Sequence, residues 1–281
     1  MDAVLLIQHG SVEDPADIPE FVRTIRRGRP TPQSIIDEVT HRWKAIGGSP
    51  LLTITRAQAA ALETRLGIRT AVGGRLWKPW ARNVIASLAA EGVTRVISLP
   101  LAPMSVHVYN AVAEEACAAA GIRCVSVPAW HEEPSLIDAF ADVAGQNRGH
   151  LLFTAHSLPK RVIAAGDQYE VQVRRTAELV AKKLGTSDWS VAFQSQGMDG
   201  GDWLGPDLNA AFDALATRGV REVRVCAIGF LADHTEVLYD LDVEAMGFAA
   251  ARDITMTRAP SLNAHPMLIE ALAAVTTRAL G

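Results

Sequence analysis

The sequence has no excess of positive charge and no long apolar run. Its 281 residues carry 27 Lys and Arg against 31 Asp and Glu, a formal net charge of −4. Nucleic-acid phosphates require a basic face, so we expect no nucleic-acid partner. No apolar run approaches the roughly 18 residues of a membrane-spanning helix, and the first residues, MDAVLLIQHG, lack the basic segment of a signal peptide. We therefore expect a soluble, cytoplasmic protein without a transmembrane segment.

Several familiar cofactor motifs are also absent. Cys117, Cys124 and Cys226 are odd in number and form no CxxC pair, which argues against a disulfide framework and an iron–sulfur cluster and favours reduced, buried thiols. The Gly-rich GMDGGDWLGP lacks the G-x-G-x-x-G pattern of a dinucleotide site and contains Trp203 and Pro206. No H-E-x-x-H motif occurs. Any metal is therefore expected to be held transiently by few protein ligands.

What the chain does contain is a large apolar fraction, 49%, arranged in short strand-like runs. Helical patterns such as RAQAAALETRLG and YEVQVRRTAELVAKKLG separate these runs, and an alternation of strands and helices predicts right-handed crossovers and parallel sheets. The predicted strands are Val4–Gln8, Arg69–Val72, Arg95–Leu99, Arg123–Val127, Leu151–Ala155, Ser190–Gln194, Glu222–Ala227 and Ile254–Thr257. Four of them fall in each half of the chain.

The two halves resemble each other. LLIQHGS near the start is similar to LLFTAHS in the second half, and LAPMSVHVYNAVAEE lies 130 positions before LADHTEVLYDLDVEA. We therefore predict an internal duplication, with an α/β fold of two similar halves, 1–147 and 148–281, each a four-stranded parallel sheet flanked by helices. Ligands of parallel sheets collect at the carboxyl ends of strands, so His9 and His156 are expected to face a cleft between the halves.

The densest group of polar residues is GFLADHTEVLYDLDVEA, residues 229–245. Glu236, Asp240 and Glu244 recur every four residues, which places three carboxylates in one stripe of a helix. A purely structural interpretation is also open, because Asp233 and Glu236 fit a D-x-x-E capping box and the other two carboxylates can be solvated.

His156 strengthens the functional interpretation of that stripe. The third strand of each half is expected to pair with the first, which brings Glu236 near His156. An imidazole and a carboxylate together can ligate a divalent metal or move protons. The alternative is a core histidine that donates to a backbone carbonyl.

Arginines and aromatic residues concentrate in the first half. A solvated helix face is one interpretation of the arginines, and binding of a polycarboxylate is the other. The flat aromatic side chains suit a planar ligand or a core. The arginines are Arg23, Arg26, Arg27, Arg29 and Arg42, and the aromatic residues are Trp43, Trp77, Trp80, Trp130 and Tyr109.

These motifs make the sequence resemble a ferrochelatase over nearly its whole length. The matching stretches are IRRGRPTP, AIGGSPLLTITRAQAAALE, LLFTAHSLP, FQSQGMDGGDWLGP and GFLADHTEVLYDLDVEA. They are most similar to the short bacterial enzymes of haem biosynthesis that insert Fe(II) into coproporphyrin III, with protoporphyrin IX as a possible substrate. The resemblance implies two Rossmann-like halves around a porphyrin cleft, one a porphyrin-binding wall and the other carrying the metal-insertion residues.

The resemblance also implies roles for individual residues. His156 and Glu236 would be catalytic and metal-binding, and Asp240 and Glu244 would lead outward and, with Arg42, hold a hydrated second cation such as Mg²⁺. A π-type turn is expected between Phe230 and Met246. The implied porphyrin contacts are His9, Arg26, Arg42, Trp43, Ser49 and Tyr109. We expect a monomer with Fe(II) as substrate.

His9 departs from the coproporphyrin group, whose members usually have tyrosine there. It is similar instead to the first-strand histidine of cobalt and nickel chelatases. Val106 stands where Glu236 would be repeated, so the acid–base partner is present only in the second half. Two alternatives therefore stay open, a cobalt or nickel chelatase of another tetrapyrrole pathway and a non-catalytic haem carrier with His9 and His156 as axial ligands.

Overall fold

Eight short strands form the framework of the protein. The computed structural model describes residues 1–145, 149–197 and 200–281. All eight predicted strands are confirmed, each end within two residues of its predicted position. They are β1 (Asp2–Gln8), β2 (Arg69–Gly74), β3 (Arg95–Pro100), β4 (Arg123–Ser126), β5 (His150–His156), β6 (Trp189–Gln194), β7 (Glu222–Cys226) and β8 (Thr255–Arg258).

The strands form two parallel sheets with the same topology. The order is β2-β1-β3-β4 in the first sheet and β6-β5-β7-β8 in the second. Each sheet thus has its first strand in the interior between its second and third strands, which explains why the β1 and β5 sequences are almost uninterrupted apolar runs. The predicted α/β class and its four-stranded parallel sheets are confirmed.

Helices connect the strands. In the first unit they are α1 (Ile18–Arg26), preceded by a 3₁₀ turn at Pro15–Asp17, α2 (Gln33–Ala45), α3 (Leu51–Leu66), α4 (Ala81–Ala90), α5 (His107–Ala120) and, at the end of the chain, α12 (Pro266–Leu280). In the second unit they are α6 (Pro134–Ala144), α7 (Lys160–Ala164), α8 (Tyr169–Leu184), α9 (Leu208–Thr217), α10 (Thr235–Tyr239), a π-helical turn (Asp240–Ala245) and α11 (Met246–Ala250). Within the described residues no helix is long and apolar enough to cross a membrane.

The chain separates into two compact units, Met1–Trp130 with Asn263–Gly281 and His131–Leu262. The predicted boundary between positions 147 and 148 lies outside the described residues. The units depart from simple halves at two helices. α6 packs against α8 and β7, and Arg224 donates to the Val143 carbonyl at 2.9 Å, so α6 joins the second unit. α12 packs against α3 and β3, so the end of the chain joins the first unit.

Each sheet has its own apolar core. In the first unit Leu5 and Ile7 of β1 are fully buried with Ile85 of α4. In the second unit Leu152 of β5 is buried with Phe212 of α9. Burial of each such side chain contributes about 1.5–3 kcal/mol, so the sheet interiors hold the strand ends in fixed positions.

The three cysteines are free thiols, as expected. Cys117 and Cys226 are buried, whereas Cys124 is only partly buried, so the expectation of burial was wrong for that residue. Burial raises the pKa of Cys226 to about 12, which keeps this thiol protonated and unreactive.

Candidate functional site

The strand register shows which positions of the two sheets correspond. Leu5 pairs with Ala71 of β2 and Ser98 of β3, and Leu152 pairs with Ser190 of β6 and Val225 of β7. Ser98 and Val225 are equivalent, because each carbonyl accepts from the first residue after the fourth strand of its sheet, Val127 or Ala259. Leu5 and Leu152 are therefore equivalent, and His9 and His156 each stand four residues later. The two histidines occupy the same place at the carboxyl ends of the central strands.

The tautomer of His156 follows from its backbone partner. Nδ1 of the ring lies at hydrogen-bond distance from the Ser157 carbonyl oxygen, which can only accept, so Nδ1 carries a hydrogen. Nε2 is then the atom that gains or loses a proton. It lies 3.6 Å from Oε1 of Glu236, and 32% of the His156 side chain is exposed. The carbonyl bond expected of a core histidine is present, but the ring also has a free edge for chemistry.

Glu236 lies between two imidazoles. Its other oxygen, Oε2, is 3.6 Å from Nε2 of His234, whose Nδ1 donates to the Ala232 carbonyl at 3.1 Å. The Phe230 ring packs against both imidazoles, with centroid distances of 6.5 Å to His156 and 4.8 Å to His234. The sequence analysis missed His234, although its position two residues before Glu236 in DHTEV was visible.

This arrangement separates the proton affinities of the pair. Burial lowers the pKa of His156, but the charge and hydrogen bond of Glu236, the Ser157 carbonyl and the charge of Asp240 outweigh it, so the pKa is raised. Burial raises the pKa of Glu236, but His156 and then His234 outweigh that effect and hold it well below its usual range. Both shifts favour an imidazolium beside a carboxylate over the neutral pair.

The helix that carries Glu236 contains the expected π turn, at Asp240–Ala245. The capping-box alternative was wrong, because the helix starts after His234 and the Asp233 carboxylate accepts from Ser261 Oγ at 2.7 Å and from Arg258 at 3.4 Å instead. The same alternative treated Asp240 and Glu244 as solvated. Only 2% of Asp240 is exposed, however, and Glu244 is half-buried.

The last residue of β6 and the residue after it hold this helix. The Gln194 amide donates from Nε2 to the Glu236 carbonyl oxygen at 2.8 Å, and the Ser195 hydroxyl donates to Oδ2 of Asp240. Ser195 adopts φ 60°, the left-handed region, which is unusual for a residue with a side chain. Sequence analysis missed both residues, because their role depends on a contact between β6 and a helix 42 residues later in the chain.

No group of three or more His, Cys, Asp or Glu side chains is arranged to hold a metal ion anywhere in the described ranges. The four predicted metal residues, His156, Glu236, Asp240 and Glu244, therefore do not form one ligand set in this structure. A metal that passes through the site would meet at most a pair of ligands at a time, which suits transfer better than storage.

The equivalent end of the first sheet has different chemistry. His9 is exposed there, and Val106, 8% exposed, takes the place of Glu236 in the repeat. The position equivalent to Gln194 is Arg75, whose backbone N–H donates to the Gln8 carbonyl at 2.9 Å. This end thus has an imidazole and a guanidinium, with an apolar valine at the place of the glutamate.

Three of the predicted porphyrin residues lie on α1 and α2. Arg26 ends α1 and donates from Nε to the Pro30 carbonyl at 2.7 Å, while Arg42 pairs with Glu38 at 2.6 Å. The Trp43 indole donates to the Val12 carbonyl at 3.3 Å. Their guanidinium and indole N–H groups are thus held locally, and nothing in these contacts joins them into one site.

Besides His9, two further predicted porphyrin residues, Ser49 and Tyr109, differ from these in their surroundings. The Ser49 hydroxyl is buried without a hydrogen-bond partner among the described residues, directly after Gly48, whose missing Cβ would lie 3.2 Å from the Trp43 ring. Tyr109, in the first turn of α5, lies under the Arg75 guanidinium at 5.5 Å from the ring centroid. A buried hydroxyl without a partner is unfavourable, so Ser49 is a place where a ligand atom would be stabilised.

Known proteins resemble this chain over nearly its whole length. The Ferrochelatase family model matches residues 1–280. A ferrochelatase of Acidobacterium capsulatum is 37% identical over 303 aligned residues, covering 96% of this chain and 92% of the relative. The coproporphyrin III ferrochelatase of Bacillus subtilis is 32% identical and covers 99% and 97%. The chain belongs to the ferrochelatase family.

As a member of that family the protein is an enzyme, a lyase that inserts iron into a porphyrin. Among solved structures, SirB from Bacillus subtilis with Fe³⁺ matches with a TM-score of 0.65 and 10% identity, covering 99% of this chain and 95% of that one. At that identity the likeness shows a shared fold alone. It supports the α/β fold with two four-stranded parallel sheets.

Proposed function

We propose that this ferrochelatase inserts Fe(II) into coproporphyrin III, with His156 and Glu236 as the insertion residues. The observation that carries the proposal is the Glu236 carboxylate, placed 3.6 Å from the Nε2 atoms of both His156 and His234 at the carboxyl end of the second sheet. Relatives named coproporphyrin III ferrochelatase, 32–34% identical over nearly their whole length, support the choice of porphyrin.

The chemistry is an exchange of one divalent cation for two pyrrole protons. The imidazole can bind a metal only when Nε2 has lost its proton, and the resting ion pair keeps that proton in place. An arriving Fe(II) displaces it to Glu236, which releases it to solvent, so that both groups are free to accept protons again. Once the iron has moved into the ring, His156 and Glu236 are the nearest acceptors for the protons that leave the pyrroles.

A porphyrin must be bent before its nitrogen lone pairs can meet the metal. That strain is drawn from binding energy elsewhere on the ring. We assign this binding to His9, Arg26, Arg42, Trp43, Ser49 and Tyr109. Guanidinium groups bind the ring carboxylates, aromatic faces contact its plane, and the buried Ser49 hydroxyl gains a partner.

Asp240 and Glu244 are assigned to charge transfer between His156–Glu236 and solvent. Glu244 is half-buried one helical turn beyond Asp240, which suits a hydrated Mg²⁺ held through water. Asp240 is buried and bonded to Ser195, so it acts chiefly on the electrostatic potential at His156, whose pKa it helps to raise.

Insertion of cobalt or nickel is the second candidate, and the equivalence of His9 with His156 favours it. An imidazole at the equivalent place in each copy supplies a nitrogen ligand, which suits metals that prefer nitrogen donors. A haem carrier would use the same two imidazoles without turnover.

One anaerobic experiment separates these candidates. The purified protein is incubated with coproporphyrin III or protoporphyrin IX and with Fe(II), Co(II) or Ni(II), and the Soret band is followed over many turnovers. We expect the highest kcat/KM for Fe(II) with coproporphyrin III. Faster turnover with Co(II) or Ni(II) would favour the second candidate, and one equivalent of bound haem without turnover would favour the carrier.

A further inference from the structure

Arg75 is a half-buried cation that has no acidic partner among the described residues. It directly follows β2, at the carboxyl end of the first sheet. Its guanidinium lies over the Tyr109 ring at 5.5 Å, and no ion pair or side-chain hydrogen bond of Arg75 occurs among the described residues. An aromatic face offsets only part of the cost of removing a charge from water.

The surroundings make this cation still less favourable. Burial lowers the pKa of Arg75, and although Tyr109 opposes this effect, the charge of Arg27 lowers it further. An arginine does not lose its proton in a protein, so the lowered pKa measures an unfavourable environment rather than a neutral side chain. A negative group bound to Arg75 would offset both the cost of burying its charge and the repulsion by Arg27.

The second sheet shows that this charge is not required by the fold. The equivalent residue is Gln194, which pairs with His156 in the strand register. In the first sheet Gln8 pairs with Gly74, so the next two residues along the strands, His9 and Arg75, stand in the corresponding places. Gln194 is a buried, neutral amide bonded to the helix that carries Glu236. The same backbone position thus has an uncharged side chain in one copy and, in the other, a cation for which the described residues supply no ion pair.

We propose that Arg75 binds a carboxylate group of the tetrapyrrole substrate. The proposal rests on the proposed function in taking the ligand to be a porphyrin. Arg75 is an additional contact beside those assigned above. Because Arg75 stands beside His9 and over Tyr109, a carboxylate bound to it would lie next to two predicted contacts of the ring. A guanidinium suits this role because its N–H groups match the two oxygens of a carboxylate.

The test uses Arg75→Gln, which copies the residue of the second sheet, and Arg75→Lys, which keeps the charge. Binding of metal-free coproporphyrin III and of its tetramethyl ester is measured by fluorescence in the same detergent-containing buffer. We expect Arg75→Gln to weaken binding of the free acid about 10- to 100-fold, the range of a charge-assisted hydrogen bond, and to leave binding of the ester within about twofold. Arg75→Lys should restore part of the loss.

Arg82→Gln is the matched control. Arg82 also lies over an aromatic ring, Trp80, at 4.8 Å, but it is exposed in the first turn of α4, whereas Arg75 is half-buried. Its replacement should change neither affinity. Equal losses for acid and ester, or no loss for the acid, would overturn the proposal. Because binding is measured without metal, it is independent of turnover, and a wild-type protein that fails to insert iron would contradict the proposed function alone.

Discussion

The two sheets carry the same strand order and register but different groups at their carboxyl ends. The second sheet has His156, Gln194 and, from its helix, Glu236. The first sheet has His9 and Arg75 in the corresponding places, with Val106 in place of the glutamate. One end is therefore suited to a divalent cation and protons, and the other to an anion and a flat ring. The backbone is repeated, whereas the charge is not.

The helices that follow the third strands differ in the same way. α5 of the first unit is a regular α-helix, whereas its counterpart is interrupted by the π turn at Asp240–Ala245. In the repeat that aligns Tyr109 with Tyr239, the buried Asn110 stands opposite the buried Asp240. The first copy has a neutral amide where the second has a carboxylate, which again places negative charge in one unit only.

Replacement of each histidine by alanine, one at a time, tests the comparison most strongly. We expect His156→Ala to reduce kcat for iron insertion by at least about 100-fold, since general acid–base groups contribute about 10²- to 10⁴-fold. Porphyrin affinity should stay within about tenfold, because the ring and its carboxylates supply most of the contact. Single-turnover kinetics and fluorescence titration measure the two quantities.

His9→Ala is the control for that experiment. Since Val106 stands at the position that Glu236 holds in the second unit, His9→Ala should retain turnover within about tenfold. Equal losses in the two variants would show that the ends of the two sheets share the chemistry, and the comparison would fail.

The buried amide of the first unit offers a second test, on stability. Asn110 accepts from Ser98 Oγ at 2.7 Å and donates from Nδ2 to the Val127 carbonyl at 2.9 Å. A carboxylate cannot donate, so Asn110→Asp should place its charge against that carbonyl and lower the free energy of unfolding by about 2–4 kcal/mol. Urea denaturation at neutral pH measures the change. Unchanged stability would mean that the first unit tolerates the charge of its repeat.

A smaller effect is expected from the acidic stripe. Asp240→Asn combined with Glu244→Gln should lower the insertion rate severalfold at limiting Fe(II) and weaken any stimulation by Mg²⁺, because two carboxylates that attract cations are lost. Burial of Asp240 means that its replacement should also cost some stability, contrary to expectation for an exposed pair. Glu114→Gln, at the position that repeats Glu244, is the control. An unaltered dependence on metal concentration would contradict a role in cation transfer.

The smallest predicted change concerns the titration of His156 itself. Glu236 is the main group that raises the pKa of His156, and burial opposes it. In Glu236→Gln the burial remains and the charge is removed, so the pKa should fall below that of the wild-type protein. The wild-type imidazole then stays protonated to higher pH than that of the variant. NMR titration of ring resonances in the porphyrin-free proteins measures both values, and a higher pKa in the variant would contradict the ion pair.

Secondary structure was readable from the sequence because its signals are local. β-branched runs such as Val4–Ile7 and glycines at helix ends such as Gly121 and Gly185 mark the elements without reference to distant contacts. His156 and Glu236 could be paired in advance for a topological reason, since the first and third strands of each sheet are neighbours. The π turn was expected from the family resemblance and from carboxylates spaced by four.

Other features depended on contacts between distant parts of the chain. Nothing local to Gln194 and Ser195 indicates that they hold the carbonyl of Glu236 and the carboxylate of Asp240. The four-residue spacing of the carboxylates does not distinguish a buried Asp240 from an exposed one. Return of α12 to the first unit was equally hidden, because an amphipathic helix can pack on either sheet.

The sequence by itself therefore determined the strands, the repeated topology, the histidine at each central strand end and the single copy of the glutamate. Tertiary structure alone decided the proton on Nδ1 of His156, the place of Glu236 between two imidazoles, and the absence of an acidic partner for Arg75 among the described residues. The physical reason is that backbone periodicity is encoded within a few residues, whereas proton affinity and charge compensation depend on every group within a few ångströms, whatever its position in the chain.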